Sequence, residues 1–453
     1  MIRRDSLKAI PLLLSFNVGF APDVLSGTQA PQPLCLEYLA RIIEMFGKIR
    51  STELDNMLEA SYNIARTRIN GGNCFCQWET GHSFDGDMFP GRPGNPDIFI
   101  LGYTMGTPSA EPGAGDLLLV SVLRKPLEDP HKKGIFVIGG PTPWCADTDR
   151  TELLTEANRK LKIKMYSDIW IETYITTHGA LLWLPGETAP LGPSSGALGI
   201  VTYWAMIADA VRFLAEKGVP VDVMGGDTES GDNTQYVSLT EPLAEHYIEE
   251  CIRQIGSIEA ELGTVNSIAD DAVDCILSGG SLYVYSRYRE ALCQEANGKR
   301  GGLALIKTTY ADDEKFNGTA KDFMIMGIYQ PDDSVDMQML KKFRAAGMKI
   351  ATIGPSTSNG KVPDGRTVPG EADYHLGLMC DTNGLFAVPG VKRKVCPTSG
   401  LLVNMMFWST AIQIAEKIIK RTGNTPAVLS TGAMIGGGEQ RRRRMETVKL
   451  RGY

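Results

Sequence analysis

The chain lacks the marks of a metal centre, a disulfide framework or a nucleic-acid surface. Its nine cysteines include no C-x-x-C pair and no metal-ligand spacing, and an odd number cannot close into a complete disulfide set. Cys74 and Cys76 stand two apart in an apolar run, so they face one side of a strand and read as small core hydrophobes. The formal net charge of −7 leaves no electrostatic footprint for nucleic acid. The one strong basic run, Arg441 to Arg444, reads as a solvated helix face, with anion binding or a partner contact as the alternative. His82, Asp85 and Asp87 lie close in sequence, but the two aspartates would diverge on a helix, so no metal is expected, and no cofactor either.

What is present is an ordinary globular composition, 43% hydrophobic and 22% charged, over 453 residues, enough for two or three domains with full cores. Leu36 to Ile69 has helical periodicity, with Leu39, Ile42, Ile43 and Phe46 on one face, and Thr52 with Asp55 predict the cap of a second helix. Asn70-Gly71-Gly72 turns the chain into an apolar strand at Cys74 to Cys76. A polar loop, Glu79-Thr80-Gly81-His82-Ser83, follows. Further strands are predicted at 97–101, 117–122, 134–138 and 167–175, and a long apolar helix at 198–216. Short apolar strands separated by helix-length segments predict an α/β fold with parallel sheets.

The second half runs through the same elements. Two helices are predicted over 241–277, the turn Ser278-Gly279-Gly280, a strand at 282–285, strands at 321–328 and 349–353, and a helix at 335–346. Near the end of each half stand matching segments. Trp183-Leu184-Pro185-Gly186 with Gly192-Pro193-Ser194-Ser195-Gly196 answers Ala387-Val388-Pro389-Gly390 with Cys396-Pro397-Thr398-Ser399-Gly400, at equal spacing and before a long apolar helix. A duplicated unit is therefore expected, with domains at 31–230 and 231–453 and the boundary in the polar stretch Gly225 to Leu239.

The first 30 residues read as an export signal. Arg3-Arg4-Asp5-Ser6-Leu7-Lys8 resembles a twin-arginine motif, and the apolar stretch Ala9 to Ala21, interrupted by Pro11 and Asn17, is too short to span a bilayer stably. The expected location is periplasmic or secreted; an uncleaved or cytoplasmic N-terminal segment is the alternative.

On Asn70-Gly71-Gly72, Thr80-Gly81-His82-Ser83, the two Pro-Gly…Pro-Ser/Thr-Ser-Gly segments and the closing Gly436-Gly437-Gly438-Glu439, the chain resembles the sugar isomerase, or SIS, domain family. The resemblance implies two tandem three-layer sandwiches, each a parallel sheet flanked by helices. It implies ligands held by Ser/Thr-rich loops at the strand ends, and pairing as an intramolecular pseudo-dimer or as a homodimer. The chain departs from the family's serine-rich phosphate loop after the third strand. It has Ser121-Val122-Leu123-Arg124-Lys125-Pro126 in the first copy and Gly327-Ile328-Tyr329-Gln330-Pro331 in the second. The first copy is therefore expected to hold the better site.

Candidate binding groups are the backbone at Gly81 and the hydroxyls of Thr80, Ser83, Ser121, Ser194 and Ser195, with Thr398 and Ser399 in the second copy. Helix capping is the competing role for these residues. Arg124 and Lys125 would neutralise an anionic substrate. For catalysis the candidates are His82 and a carboxylate base, either Glu79 or Glu187, acting on the proton beside a sugar carbonyl. The expectation is a protein that binds a sugar or sugar phosphate as an aldose–ketose isomerase working through an enediol; the alternative is a non-catalytic carbohydrate-derivative binding or sensing protein.

Overall fold

The first regular element is one continuous helix, α1 (Leu34–Ile69), where the sequence predicts two. The Thr52 hydroxyl does not cap a new helix. It donates back to the Lys48 carbonyl at 2.9 Å and meets the Tyr174 hydroxyl at 2.8 Å, so it is satisfied without a break. The apolar stripe also runs on without interruption, from Leu39, Ile42 and Phe46 to Met57, Ala60 and Ile64, all buried.

The computed structural model describes residues 32–77, 87, 92–100, 111–121, 127–140, 151–225, 235–287, 292–296, 300–311, 313, 316–357 and 366–453. Pro33–Tyr453 forms one compact unit. The expected signal at 1–30 lies outside the described residues, as does 226–234 within the expected boundary.

Five strands form the first sheet: β1 (Cys74–Gln77), β2 (Phe99–Ile100), β3 (Leu117–Val120), β4 (Phe136–Gly139) and β5 (Ile169–Trp170). All pair in parallel, in the order β2-β1-β3-β4-β5. An antiparallel hairpin of β6 (Ala180–Leu182) and β7 (Leu191–Pro193) then leads into α2 (Ser195–Glu216). After α3 (Ala244–Gly256) and α4 (Leu262–Leu277) comes the second sheet, with β8 (Leu282–Ser286), β9 (Ile306–Thr309), β10 (Phe323–Gly327), β11 (Lys349–Gly354) and β12 (Tyr374–Gly377). Helix α5 (Ser334–Ala345) joins β10 to β11, α6 (Ser399–Thr422) follows β12, and α7 (Gly437–Arg451) closes the chain. The second sheet is also parallel, in the order β9-β8-β10-β11-β12. Counted from its own first strand, each sheet therefore has the order 2-1-3-4-5.

The repetition extends to single hydrogen bonds. Gly71 and Gly279 both take positive φ at the end of the helix before the first strand. The Asn73 amide donates to Asp116 Oδ1 at 2.8 Å, as that of Ser281 does to Asp322 Oδ1 at 2.6 Å. Val137 donates to Asp168 Oδ2, and Ile350 to Asp373 Oδ2, both at 2.8 Å. On α1 the Tyr38 hydroxyl holds the Pro193 carbonyl at 2.6 Å; on α3 that of Tyr247 holds the Pro397 carbonyl at 2.9 Å.

One hydrophobic core joins α1, α2, α3, α4 and α6 to the inner faces of both sheets. The outer faces are covered differently. Tyr283, Tyr285, Met324, Met326 and Ile350 of the second sheet pack under Met339, Leu340 and Phe343 of α5. Phe75, Leu118, Val120 and Val137 of the first sheet pack under Leu161 and Ile163, from an irregular segment. Covered on both sides, the central strands β1, β3, β8 and β10 are buried throughout, which is why they read as continuous apolar runs. Among the described residues only α2 is long and apolar enough to cross a membrane, and it is a buried core helix here.

Candidate functional site

A parallel sheet of order 2-1-3-4-5 reverses its winding between its first and third strands. The connections leaving those two strand ends part to opposite sides and open a crevice, the usual ligand position in such sheets. In the first half (33–225) that point lies beyond Gln77 and Val120. Ser121 follows Val120, is buried, and donates its amide to the Gln77 carbonyl at 3.0 Å. Gln77 is also buried, and its side-chain Oε1 has no hydrogen-bond partner among the described residues. An unsatisfied buried amide oxygen is costly, and a ligand hydroxyl or water would satisfy it.

In the second half (235–453) the same point lies beyond Ser286 and Gly327. A small cleft there is lined by Arg92, Arg287, Tyr329, Gln330, Asp333, Asp336 and Thr382. Asp333 caps α5, its Oδ1 accepting from the amides of Val335 and Asp336 at 2.8 and 2.9 Å, while its Oδ2 pairs with Arg287. Asp336 is 2% exposed and accepts the Tyr285 hydroxyl at 3.0 Å. Burial, reinforced by the neighbouring Asp333 charge, pushes its carboxyl up to about 7, against the pull of the Tyr285 hydrogen bond and Arg287. The Ser286 hydroxyl is fully buried beside the Tyr329 hydroxyl.

Arg92, which walls this second-half cleft, comes from the first half. It pairs with Asp87 at 2.7 Å, donates to Ser399 Oγ at 3.2 Å and lies over the Tyr329 ring, 5.1 Å from its centre. Asp87 accepts Trp204 Nε1 at 2.6 Å and sits so close to the start of α6 that a Cβ on Gly400 would stand 1.9 Å from its Oδ1. Burial pushes the Asp87 carboxyl up, against the lowering effects of Arg92 and Trp204. The second half supplies a counterpart: Glu295 accepts Trp408 Nε1 at 3.2 Å. Its charge also reaches Tyr38, whose hydroxyl is raised chiefly by burial and then by Glu295, as Asp87 acts on Tyr247. Asp87 thus stands at the start of a helix of the other half, while Glu295 bonds a helix of its own half.

The residues singled out in the sequence fall into three groups. Glu79, Thr80, Gly81, His82, Ser83, Arg124 and Lys125 lie outside the described residues. Ser121 is at the β3 edge. The remainder cluster at helix starts and the first Pro-Gly turn. Ser194 and Ser195 are buried at the start of α2, with Ser194 Oγ lacking a partner among the described residues. Thr398 Oγ1 accepts the Asp381 amide at 2.9 Å and Ser399 takes Arg92, so both second-copy hydroxyls have internal partners. Glu187 pairs with Arg444 of α7 at 2.9 Å. Burial raises its carboxyl, while Arg444 and the amides of Val428 and Thr188 lower it. Of the basic run, Arg443 pairs with Glu439 and Arg444 with Glu187.

Sequence reasoning passed over Arg92, Arg287, Asp333, Asp336 and Gln77. Asp333 had a readable signal, an aspartate before the amphipathic run of α5. Arg92 had none, because its partners Asp87 and Ser399 lie in different elements and 307 positions separate it from Ser399.

No known family and no curated protein matches the sequence. Several solved structures share its outline at low identity. The C-terminal domain of glucosamine-fructose-6-phosphate aminotransferase from Francisella tularensis is 10% identical, over 88% of this chain and 99% of that one, with a TM-score of 0.46. A provisionally assigned phosphosugar isomerase from Clostridium difficile 630 is 11% identical over 87% and 95%, with a TM-score of 0.48. A provisionally assigned sugar binding protein from Salmonella typhimurium LT2 is 11% identical over 84% and 98%, with a TM-score of 0.44. Likeness at this level carries no information on ligand or activity.

Proposed function

We propose that the chain is a tandem sugar-isomerase-type protein that binds a carbohydrate derivative at the C-terminal edge of its first sheet. One observation carries this reading. β1 and β3 are hydrogen-bonded neighbours, so their last residues, Gln77 and Val120, lie side by side at the crevice, and in sequence these strands are followed by the polar runs Glu79 to Ser83 and Arg124-Lys125. The Gln77 amide oxygen and Ser121 stand at that crevice and supply hydrogen-bonding groups for a hydroxylated ligand. Isomerisation through an enediol is the finer proposal. With Glu187 held by Arg444, that chemistry falls to Glu79 as base and His82 as its partner.

A thermal-shift screen of the full chain against sugars, amino sugars and their phosphates tests the binding, with His82→Ala and Ser121→Ala alongside. A ligand present at 100 times its dissociation constant adds about 2.7 kcal/mol of stability, which is readily seen as a raised melting temperature. The expected result is one responsive sugar class for the wild type and a lost response in both variants. No response to any member of the panel overturns the reading. For a ligand that binds, exchange of its C2 proton with solvent deuterium separates an isomerase from a binding protein.

A further inference from the structure

A groove of about 720 Å³ lies where the segment 235–246 meets the segment 385–394. That is the volume of a pocket for a small organic ligand. Its floor is fixed by backbone pairing: Phe386 and Val395 exchange amide–carbonyl bonds of 3.1 and 2.9 Å, and the Val237 amide donates to the Ala387 carbonyl at 2.9 Å. On this floor the His246 ring is held edge-on to Phe386, with centres 5.4 Å apart. Tyr236 is 49% exposed, so its ring is open to solvent at the groove.

The polar groups are sorted by charge. Glu241 comes from the segment leading into α3, His246 from the first turn of α3, and Lys394 from the segment 385–394. Lys394 ends the basic run Lys392-Arg393-Lys394, in which Arg393 is committed to the Val223 carbonyl at 2.9 Å. A carboxylate and an imidazole recognise hydroxyl groups, an ammonium recognises an anion, and an open aromatic ring stacks on the apolar face of a saturated ring.

We propose that this groove is a second binding site, for a carbohydrate ring that carries one anionic group. The ring stacks on Tyr236, its hydroxyls bond Glu241 and His246, and its anion meets Lys394. It shares no lining residue with the sheet-edge crevices.

Isothermal titration of the full chain with glucuronate, glucose 6-phosphate and glucose tests this, using wild type, Tyr236→Ala, Lys394→Gln and His82→Ala. Tyr236 and Lys394 are exposed, so neither substitution opens the core. The expected result is saturable binding of at least one anionic probe that weakens tenfold or more in Tyr236→Ala and in Lys394→Gln and is unchanged in His82→Ala. Glucose binds more weakly and is indifferent to Lys394→Gln. A preference for glucuronate or for glucose 6-phosphate identifies the anion as carboxylate or phosphate. Absence of saturable binding by both anionic probes overturns the proposal. So does binding that survives Tyr236→Ala and Lys394→Gln; if that binding is lost in His82→Ala, it belongs to the sheet-edge site.

Discussion

The two sheets share strand order, turn glycines and carboxylate anchors, yet their C-terminal edges carry different chemistry. The first edge offers neutral buried groups, Gln77 and Ser121, and is followed in sequence by hydroxyls, a histidine and two cations. The second is walled by carboxylates, Asp333 and Asp336, and by arginines, Arg287 paired to Asp333 and Arg92 paired to Asp87. Backbone architecture was kept while the end-of-strand side chains changed. The difference shows which part of a sheet defines a fold and which part is left for chemistry.

The comparison can be broken most severely at Arg92. Arg92→Ala leaves Asp87 buried without its cation and is expected to cost about 3–5 kcal/mol, read from urea denaturation. An unchanged stability in the variant would mean that the Arg92–Asp87 pair holds nothing in place.

Next in size is the pH response of the second edge. An unfolded aspartate titrates near 3.9, whereas Asp336 in the folded chain is raised to about 7. Between those values the folded state binds more protons, so this contribution is full below about pH 4 and is lost as pH rises through about 7. The free energy of unfolding should be lower at pH 7.5 than at pH 5 in the wild type by an amount on the order of a few kcal/mol, and Asp336→Asn should remove most of that difference. An unchanged slope in the variant would assign the pH dependence elsewhere.

A third contrast concerns the matching positions before Pro193 and Pro397. Both residues take positive φ, but one is Gly192 and the other Cys396, at +81° and +63°. A Cβ at Gly192 would meet the Tyr38 ring at 2.9 Å. Gly192→Ala should cost about 1–3 kcal/mol through conformational strain and overpacking. Cys396→Ala keeps a Cβ that is already accommodated and should cost less.

The smallest effects should be a matched pair. Tyr38→Phe and Tyr247→Phe each remove one hydrogen bond to a proline carbonyl and should each cost about 1 kcal/mol. A difference well above that would show that the two halves are not held equally at this point.

The central strands were legible because burial on both faces makes β1, β3, β8 and β10 apolar up to their last residues, where Gln77 and Ser286 end β1 and β8. The edge strands β9 and β12 were not. Ile306-Lys307-Thr308-Thr309 and Tyr374-His375-Leu376-Gly377 pair on one side only and carry polar residues among the apolar ones. The repeat was legible because a Pro-Gly turn and a Ser-Gly helix start need specific residues at fixed spacing. The single α1 was misread because a threonine hydroxyl can serve a cap or bond back within a helix, and sequence does not distinguish these uses. At the site, serines were readable as hydroxyl donors. The arginine that reaches one of them was not, since their meeting depends on how α6 packs against the segment before β2.

The matched hydrogen bonds from Tyr38 to Pro193 and from Tyr247 to Pro397 have the form of one contact made twice, as in a symmetric pair of identical chains. In a dimer of identical chains, any substitution there would change both contacts together. One gene copy encodes both sides, so the two sites could never become different. Written twice along a single chain, the contact keeps its geometry while each side can be altered alone. Gly192 against Cys396, and Ser194 against Thr398, are matching positions that differ in this way: a shared frame with separately adjustable ends.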